Sequence, residues 1–500
     1  MSPISSNDLE KQLWGAANLL RGLIDPGDYK KYIFPLLFYK RICDVYDEEC
    51  KTVLEDTDGD TDEAKKRFYH QLDIEIPEGA HWNDVRAMTK DVGLTLQKAL
   101  RDMETHNSDT LSGIFGDAQW TNKEKFSDAI MRDLIEHFSA INLSLENVPQ
   151  DQLGEAYEYL IKKFADDSGH TAAEFYTNRT LVRLMTLIMD PKPGESIYDP
   201  TCGSGGMLLV SALQVKEQGG EHRSIKLYGQ EINLLTSAIA KMNLYLHGIE
   251  DFRIVRGDTL AQPAFTNGDG SLKTFDVILA NPPYSIKNWN RTAFINDPYG
   301  RNIYGVPPQG RADYAFFQHI IKSMDLRTGR CAILFPHGVL FREEEYALRK
   351  KIVDADLIDC VLGLGPNLFY NSTMEACVVF CKMNKPKHKK GRILFINAIN
   401  EVALQKSQGF LENNHIQKIF NAYQSYCDIK SFSKVADLNS INRENFDLRV
   451  GVYVPIYKEV EVSEEKTLSK IINDWQESSM VLRKYVQNLY DALEEVGLRE

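Results

Sequence analysis

Residues 275–284 read Phe-Asp-Val-Ile-Leu-Ala-Asn-Pro-Pro-Tyr. The short apolar run has the continuity of a strand buried on both faces, as in a parallel sheet. It stops at Asn281-Pro282-Pro283-Tyr284. Consecutive prolines lack the N–H of a sheet ladder and fix φ, so the backbone just past the strand is rigid. An amide and an aromatic ring are thereby held at the carboxyl end of a central strand, where open α/β sheets bind ligands. These groups suit methylation of an exocyclic amine such as the amino group of adenine, whose lone pair is delocalised into the ring. Two acceptors drawing on both N–H bonds would free that pair, and the Asn281 side-chain oxygen and the Pro282 carbonyl are candidates. Tyr284 offers a flat face to a base rotated out of a duplex. The same string also serves simply to close a strand with a Pro-Pro turn and a buried tyrosine.

Upstream, Ser196-Ile197-Tyr198-Asp199-Pro200-Thr201-Cys202-Gly203-Ser204-Gly205-Gly206-Met207 reads as a strand, a glycine-rich loop and the start of an apolar helix. Glycines let the backbone pass close to a ligand at a helix N-terminus, where free N–H groups point outward. The spacing departs from the dinucleotide G-x-G-x-x-G pattern, and an ordinary tight turn would look similar. About 25 residues on, Leu227–Asn233 places Glu231 at the end of a second strand, the position of the acid that takes ribose hydroxyls. Ile254–Leu260 ends a third strand with Asp258, suited to accept from a cofactor adenine. Either acid alone is also an ordinary helix cap or surface residue. Four strand-end signals in this order predict an α/β fold, a mostly parallel sheet with helices on both faces.

With these residues in view, the region 146–400 resembles an S-adenosylmethionine-dependent methyltransferase of the DNA N6-adenine type. The whole chain resembles the modification subunit (HsdM) of a type I restriction–modification system. The resemblance implies a Rossmann-like class I methyltransferase core and S-adenosyl-L-methionine as cofactor. In that family the stretch matching His170–Arg179 precedes the glycine loop and covers the methionine end of the cofactor, which brings in Glu174, Phe175, Tyr176, Thr177, Asn178 and Arg179. Asn178 stands where the family often has proline. Asp199, Thr201, Cys202, Gly203, Ser204, Gly205 and Gly206 match the cofactor loop, Glu231 the ribose acid, and Asp258 the adenine contact. Asn281, Pro282, Pro283 and Tyr284 match the catalytic tetrapeptide. The implied partners are double-stranded DNA, a specificity subunit (HsdS-like) and a restriction motor-nuclease subunit (HsdR-like), with two copies of this chain per complex. Two competing expectations remain: methyl transfer to protein glutamine or RNA with the same tetrapeptide, and a non-catalytic assembly subunit.

Composition sets the surroundings. Five hundred residues exceed one compact core. No apolar stretch approaches the 18 or so residues of a membrane helix, and the start lacks a secretory pattern, so a cytoplasmic protein with no membrane partner is expected. Eight cysteines are scattered without C-x-x-C pairs, which points to reduced thiols and no metal site. Cys202 reads as a small filler in its loop. The net charge of −13 is unusual for a DNA enzyme; neutralising phosphates takes Lys and Arg. Lys382–Arg392 reads as a solvated hairpin tip, while Lys287, Arg291, Arg301 and Arg311 lie in a loop suited to close on a substrate. No target-reading domain fits after Tyr284, so sequence recognition is expected from another chain.

Both ends read as helical. Residues 1–145 form an expected all-helical domain, with one helix through Leu13, Trp14, Ala17, Leu20 and Leu23 and a second over Tyr32–Cys43 interrupted near Pro35. Glu55–Glu63 is an acidic solvated loop. Tyr314–Ile321 reads as an amphipathic helix. Residues 401–500 are expected to be a helical region for partner docking, with a stripe of Leu468, Ile471, Ile472, Trp475, Leu482, Val486, Leu489 and Leu493. Such a stripe in a free chain also folds back on its own core.

Overall fold

A computed structural model describes residues 4–57, 74–167, 177–368, 376–405, 408–455 and 468–495. Eleven strands lie among the described residues: β1 (Ser196–Asp199), β2 (Lys226–Glu231), β3 (Phe252–Arg256), β4 (Val277–Ala280), β5 (Arg330–Pro336), β6 (Ile358–Leu364), β7 (Ala376–Lys382), β8 (Arg392–Ala398), β9 (Ala403–Gln405), β10 (Gln408–Phe410) and β11 (Ser433–Asp437). Nine of them form one sheet in the order β11-β8-β6-β7-β5-β4-β1-β2-β3, and β9 pairs with β10 alone. Strands β3, β2, β1, β4 and β5 are parallel, β7 runs antiparallel between β5 and β6, β8 is parallel to β6, and β11 is antiparallel to β8. The fold is thus the mostly parallel, class I methyltransferase type expected. The chain leaves β1 toward β2 and β3, then returns to β4 on the other side of β1. The strand order reverses there, and such a switch point opens a crevice at the carboxyl ends.

The apolar run at β4 has a direct physical cause. Val277 and Leu279 enter a core with Leu334, Leu362 and Leu394 on one face, whereas Ile278 and Ala280 enter a core with Ile333, Phe335 and Val361 on the other. Every position of β4 is buried, as a strand covered on both faces requires.

Helices Ser6–Leu20, Lys30–Asp56, Val92–His106, Asp128–Ser139 and Gln150–Asp167 precede the sheet. They bury a separate core that includes Leu13, Phe34, Phe38, Leu96, Phe138 and Leu160, and it extends to Leu235, Ile239 and Met242 on the helix Leu234–Leu246. The helix Gln150–Asp167 lies beyond the expected boundary at 145 yet packs into this N-terminal core. Pro35 does not interrupt the second helix, which runs unbroken over Lys30–Asp56. Pro35 is the sixth residue of that helix and forfeits the bond to the Lys31 carbonyl, a cost offset by burial of Ile33, Phe34, Leu37 and Phe38 around it.

Several expectations are corrected. Residues 401–500 are not wholly helical, because β9, β10 and β11 lie among them and β11 completes the sheet edge. Lys382–Arg392 is not a hairpin tip, since β7 and β8 both pair with β6 rather than with each other. Lys385 and Lys389 are buried there: Lys385 donates to Asp356 at 2.7 Å and to the Ile358 and Arg392 carbonyls, and Lys389 lies over the Tyr426 ring. The segment Asp313–Lys322 is a helix buried along nearly its whole length, not an amphipathic one. Residues 58–63 of the acidic stretch lie outside the described residues. Residues 455–500 form a unit of their own, whose helix Leu468–Glu495 leaves Trp475, Leu482 and Leu489 exposed. No helix among the described residues is long and apolar enough to cross a membrane.

Candidate active site

The tetrapeptide follows β4 directly. Asn281 Nδ2 donates to Thr177 Oγ1 at 3.0 Å, and the Tyr284 hydroxyl donates to Asn281 Oδ1 at 2.6 Å. These bonds fix the amide plane from both sides. A carboxamide oxygen has two lone pairs, so Oδ1 keeps one for a further donor. Tyr284 is half-buried and burial pushes its phenol well up, so the group stays a neutral donor. Pro282 is buried and Pro283 exposed.

The glycine loop stands at the carboxyl end of β1, the neighbour of β4. Gly205 caps the helix Gly206–Glu217 at φ +78, a conformation that favours glycine. Gly206 is required for a different reason. A Cβ there would lie 1.5 Å from Arg179 Nη1. Arg179 is paired with Glu158, Nη2 donating to Oε1 at 2.8 Å, and Asn243 Nδ2 bridges Glu158 (2.7 Å) and the Ser204 carbonyl (3.0 Å). Burial works to raise the Glu158 carboxyl, but the Arg179 guanidinium outweighs it and holds the group below its ordinary range. Arg179 therefore braces the loop from beneath. Asn178 caps the helix Arg179–Met189 through the Thr180 N–H and donates to the Gly409 carbonyl at 2.7 Å. That capping role accounts for asparagine at this position.

The two acids occupy different settings. Glu231 is buried at the end of β2; Oε2 accepts the Gly203 N–H at 3.1 Å and Oε1 the Asn233 N–H at 2.8 Å. Burial pushes its carboxyl up. Asp258 is exposed, and its Oδ1 caps the turn through the Leu260 and Ala261 N–H groups at 2.9 and 3.1 Å. Asp199 is buried beneath the loop and accepts the Thr201 N–H at 3.0 Å. Burial first, and the Glu231 charge second, push its carboxyl up to about 8. Burial also drives the Cys202 thiol well up, which leaves it a neutral filler.

This donor set fits a cationic nucleoside. Thr201 Oγ1 is buried with no hydrogen-bond partner among the described residues. Both Glu231 oxygens retain a lone pair for hydroxyls, and two carboxyls converge on one loop. Thr177 reaches the tetrapeptide, whereas Glu174, Phe175 and Tyr176 lie outside the described residues.

Arg301 does not face a substrate. It is buried, paired with Asp297 at 2.6 Å, and donates to the Thr259 and Leu260 carbonyls at 2.9 and 2.8 Å. It therefore ties the segment after the tetrapeptide to the turn carrying Asp258. Arg291 donates to the Pro307 carbonyl at 2.7 Å. Sequence reasoning missed Glu158, Asn243, Asp313 and Arg342. Each meets its partner across a fold that local pattern does not encode.

The N-6 DNA methylase family matches residues 148–462, and the HsdM N-terminal domain matches residues 9–138. The chain belongs to the N-6 DNA methylase family. It is 31% identical to the type I restriction enzyme MjaVIII methylase subunit of Methanocaldococcus jannaschii, over 97% of this chain and 85% of that protein. It is 28% identical to the MpnII methylase subunit of Mycoplasma pneumoniae, over 97% and 96%. A crystal structure of the type I restriction-modification methyltransferase subunit from Streptococcus thermophilus superposes with TM-score 0.78 at 29% identity, covering 90% of this chain and all of that one. For an N-6 DNA methylase, the family and fold imply use of S-adenosylmethionine.

Proposed function

We propose that this chain is the methyl-transferring subunit of a type I restriction–modification complex, acting on the N6 amino group of adenine in duplex DNA in the cytoplasm. One observation carries it. The Asn281 amide, clamped between Thr177 and Tyr284, stands at the carboxyl end of β4 beside the Asp199–Gly206 loop. We assign residues 146–400, with the edge strand β11, to catalysis, 1–145 to a helical domain and, within 401–500, the helix Leu468–Glu495 to partner docking. S-adenosylmethionine is to be held by Asp199, Thr201 to Gly206, Glu231 and Asp258, with Glu174 to Thr177 over its methionine end and Asn178 and Arg179 fixing that segment and the loop from behind. When bound, it supplies a methyl group made electrophilic by its sulfonium.

The chain's own contribution is aim. The free lone pair of Asn281 Oδ1 and the Pro282 carbonyl accept the two amino protons of an extrahelical adenine and pull the nitrogen toward tetrahedral geometry. Positive charge developing on that nitrogen meets two fixed oxygen dipoles. Tyr284 holds one of those oxygens and offers its ring to the base. No strong base is needed, because a methylated ammonium gives its proton to water.

Sequence recognition is assigned to a specificity subunit. Trp475, Leu482, Val486 and Leu489 on the helix Leu468–Glu495 give it an apolar surface, and a motor-nuclease subunit and a second copy of this chain complete the assembly. The match to the HsdM N-terminal domain disfavours a glutamine or RNA methyltransferase. Methyl transfer from labelled S-adenosylmethionine to duplex DNA, with and without the co-purified partner, tests the assignment. N6-methyladenine formed only with the partner is expected; label in protein or RNA overturns it.

A pH dependence follows from Asp199. Its carboxyl, pushed up to about 8, is protonated at pH 7 in the cofactor-free chain. A cationic ligand favours the ionised form, so binding expels the proton. Affinity should rise with pH up to about 8 and then level off. Calorimetry at pH 7 in two buffers of different ionisation enthalpy should show close to one proton released per cofactor, lost in Asp199→Asn. Proton uptake, or no exchange, would remove Asp199 from the site.

A further inference from the structure

We propose that Asp313 is a positioning residue for the catalytic tetrapeptide, acting through the backbone of Ser285; this rests on the assignment of Asn281 to Tyr284 above. Ser285 has φ +51, a left-handed conformation that residues with a Cβ avoid. That turn reverses the chain directly after Tyr284, whose hydroxyl comes back onto Asn281 Oδ1 at 2.6 Å. Holding Ser285 in this state therefore holds the amide that meets the substrate.

The hold comes from one side chain. Asp313 Oδ1 accepts the Ser285 N–H at 2.7 Å, and the Ser285 hydroxyl lies 3.5 Å from Oδ2. Asp313 opens the helix Asp313–Lys322 and is 1% exposed. A carboxylate this deep needs a cationic partner. Arg342 supplies it, donating from Nη1 to Asp313 Oδ2 at 2.7 Å. The same guanidinium reaches Glu345 Oε2 and Ser285 Oγ, both at 3.4 Å, and Arg311 reaches Ser285 Oγ at 3.4 Å. Arg342 is itself fixed, its carbonyl accepting from Arg349 at 2.9 Å. Asp313 and two arginines, Arg311 and Arg342, thus converge on the one strained residue behind the tetrapeptide. A turn that merely had to close would not need a desolvated ion pair.

The test uses the full chain with its co-purified specificity subunit and measures kcat and cofactor KM for methyl transfer to duplex DNA. Asp313→Asn should lower kcat roughly 30-fold, since small misplacements of reacting groups are costly, and leave cofactor KM within about twofold. Adding Ser285→Gly to that variant should recover roughly tenfold, because glycine takes positive φ without restraint. A role confined to stability gives no such rescue. A second comparison leaves the buried pair untouched: Ser285→Val should be roughly tenfold slower than Ser285→Gly, as a β-branched residue resists this conformation. This comparison decides the question should Asp313→Asn not fold. The proposal is overturned if Asp313→Asn stays within threefold of the parent, if glycine restores nothing, or if valine and glycine are equal at 285. Loss of turnover in Asn281→Ala alongside an unaffected Asp313→Asn would sink this inference alone. An active Asn281→Ala would sink the tetrapeptide assignment itself.

Discussion

Replacing Asn281 with alanine is expected to lower methyl transfer to DNA by about 1,000-fold, because a fixed dipole aimed at developing charge is among the largest single catalytic contributions. Cofactor affinity should change less than about threefold, since among the described residues the amide hydrogen-bonds to Thr177 and Tyr284 and not to the glycine loop. The size of the effect follows from what alanine removes. An unassisted adenine amine keeps its lone pair in the ring, and one of the two acceptors that would withdraw it is gone. The Pro282 carbonyl remains but cannot alone pyramidalise the nitrogen.

Two companions separate aim from chemistry. Tyr284→Phe retains the ring and loses only the 2.6 Å bond that orients the amide, so a smaller fall, roughly tenfold, is expected. Asn281→Asp keeps an acceptor oxygen but loses the NH2 that donates to Thr177 and introduces a charge that partly desolvated surroundings resist, so it should fall between the parent and alanine. Single-turnover transfer of a labelled methyl group from pre-bound cofactor is the appropriate measurement. Activity above a tenth of the parent in Asn281→Ala would withdraw the role from this residue.

What the sequence discloses is whatever is local along the chain. The strand ending at residue 281 announces itself because burial on both faces demands an unbroken apolar run and the double proline marks its end. The glycine loop, Glu231 and Asp258 follow at strand ends in chain order, so their convergence needs only the topology of a parallel sheet. Composition makes the lysines after β7 look solvated, which holds for Lys387 and Lys390, but Lys385 is buried against Asp356 and the Ile358 carbonyl, which lie just before and at the start of β6. Arg301 looks like a substrate ligand in a glycine-rich loop, yet its acceptors are carbonyls at 259 and 260. Likewise, the bond from Asp313 to the Ser285 N–H spans 28 residues and depends on a backbone angle no residue type encodes. The edge strand β11 is not legible in the sequence because Ser433–Asp437 lacks a continuous apolar run, as one face of an edge strand meets solvent.

Glu231→Ala should produce the complementary defect: cofactor affinity weakened by at least ~100-fold, with kcat at saturating cofactor within about threefold, as loss of uniform binding predicts. The carboxylate has two duties. On the proposed reading it accepts the ribose hydroxyls, and it pins the loop by taking the Gly203 and Asn233 N–H groups at 3.1 and 2.8 Å. Hydrogen bonds to a charged group are each worth about 1.5–3 kcal/mol, so losing the ribose contacts and loosening the loop together accounts for two decades or more. Glu231→Gln divides these duties. It keeps one acceptor oxygen but turns an NH2 toward a backbone N–H, and about a tenfold loss is expected from that one mispairing. Burial holds the Glu231 carboxyl above its ordinary range, so the alanine variant should also bind with a shallower dependence on pH below neutrality. Calorimetric titration with S-adenosylmethionine, and with its demethylated product as a neutral-sulfur control, reads all three variants. An affinity unchanged within threefold in Glu231→Ala would place the nucleoside pocket away from the end of β2, whatever Asn281→Ala had done.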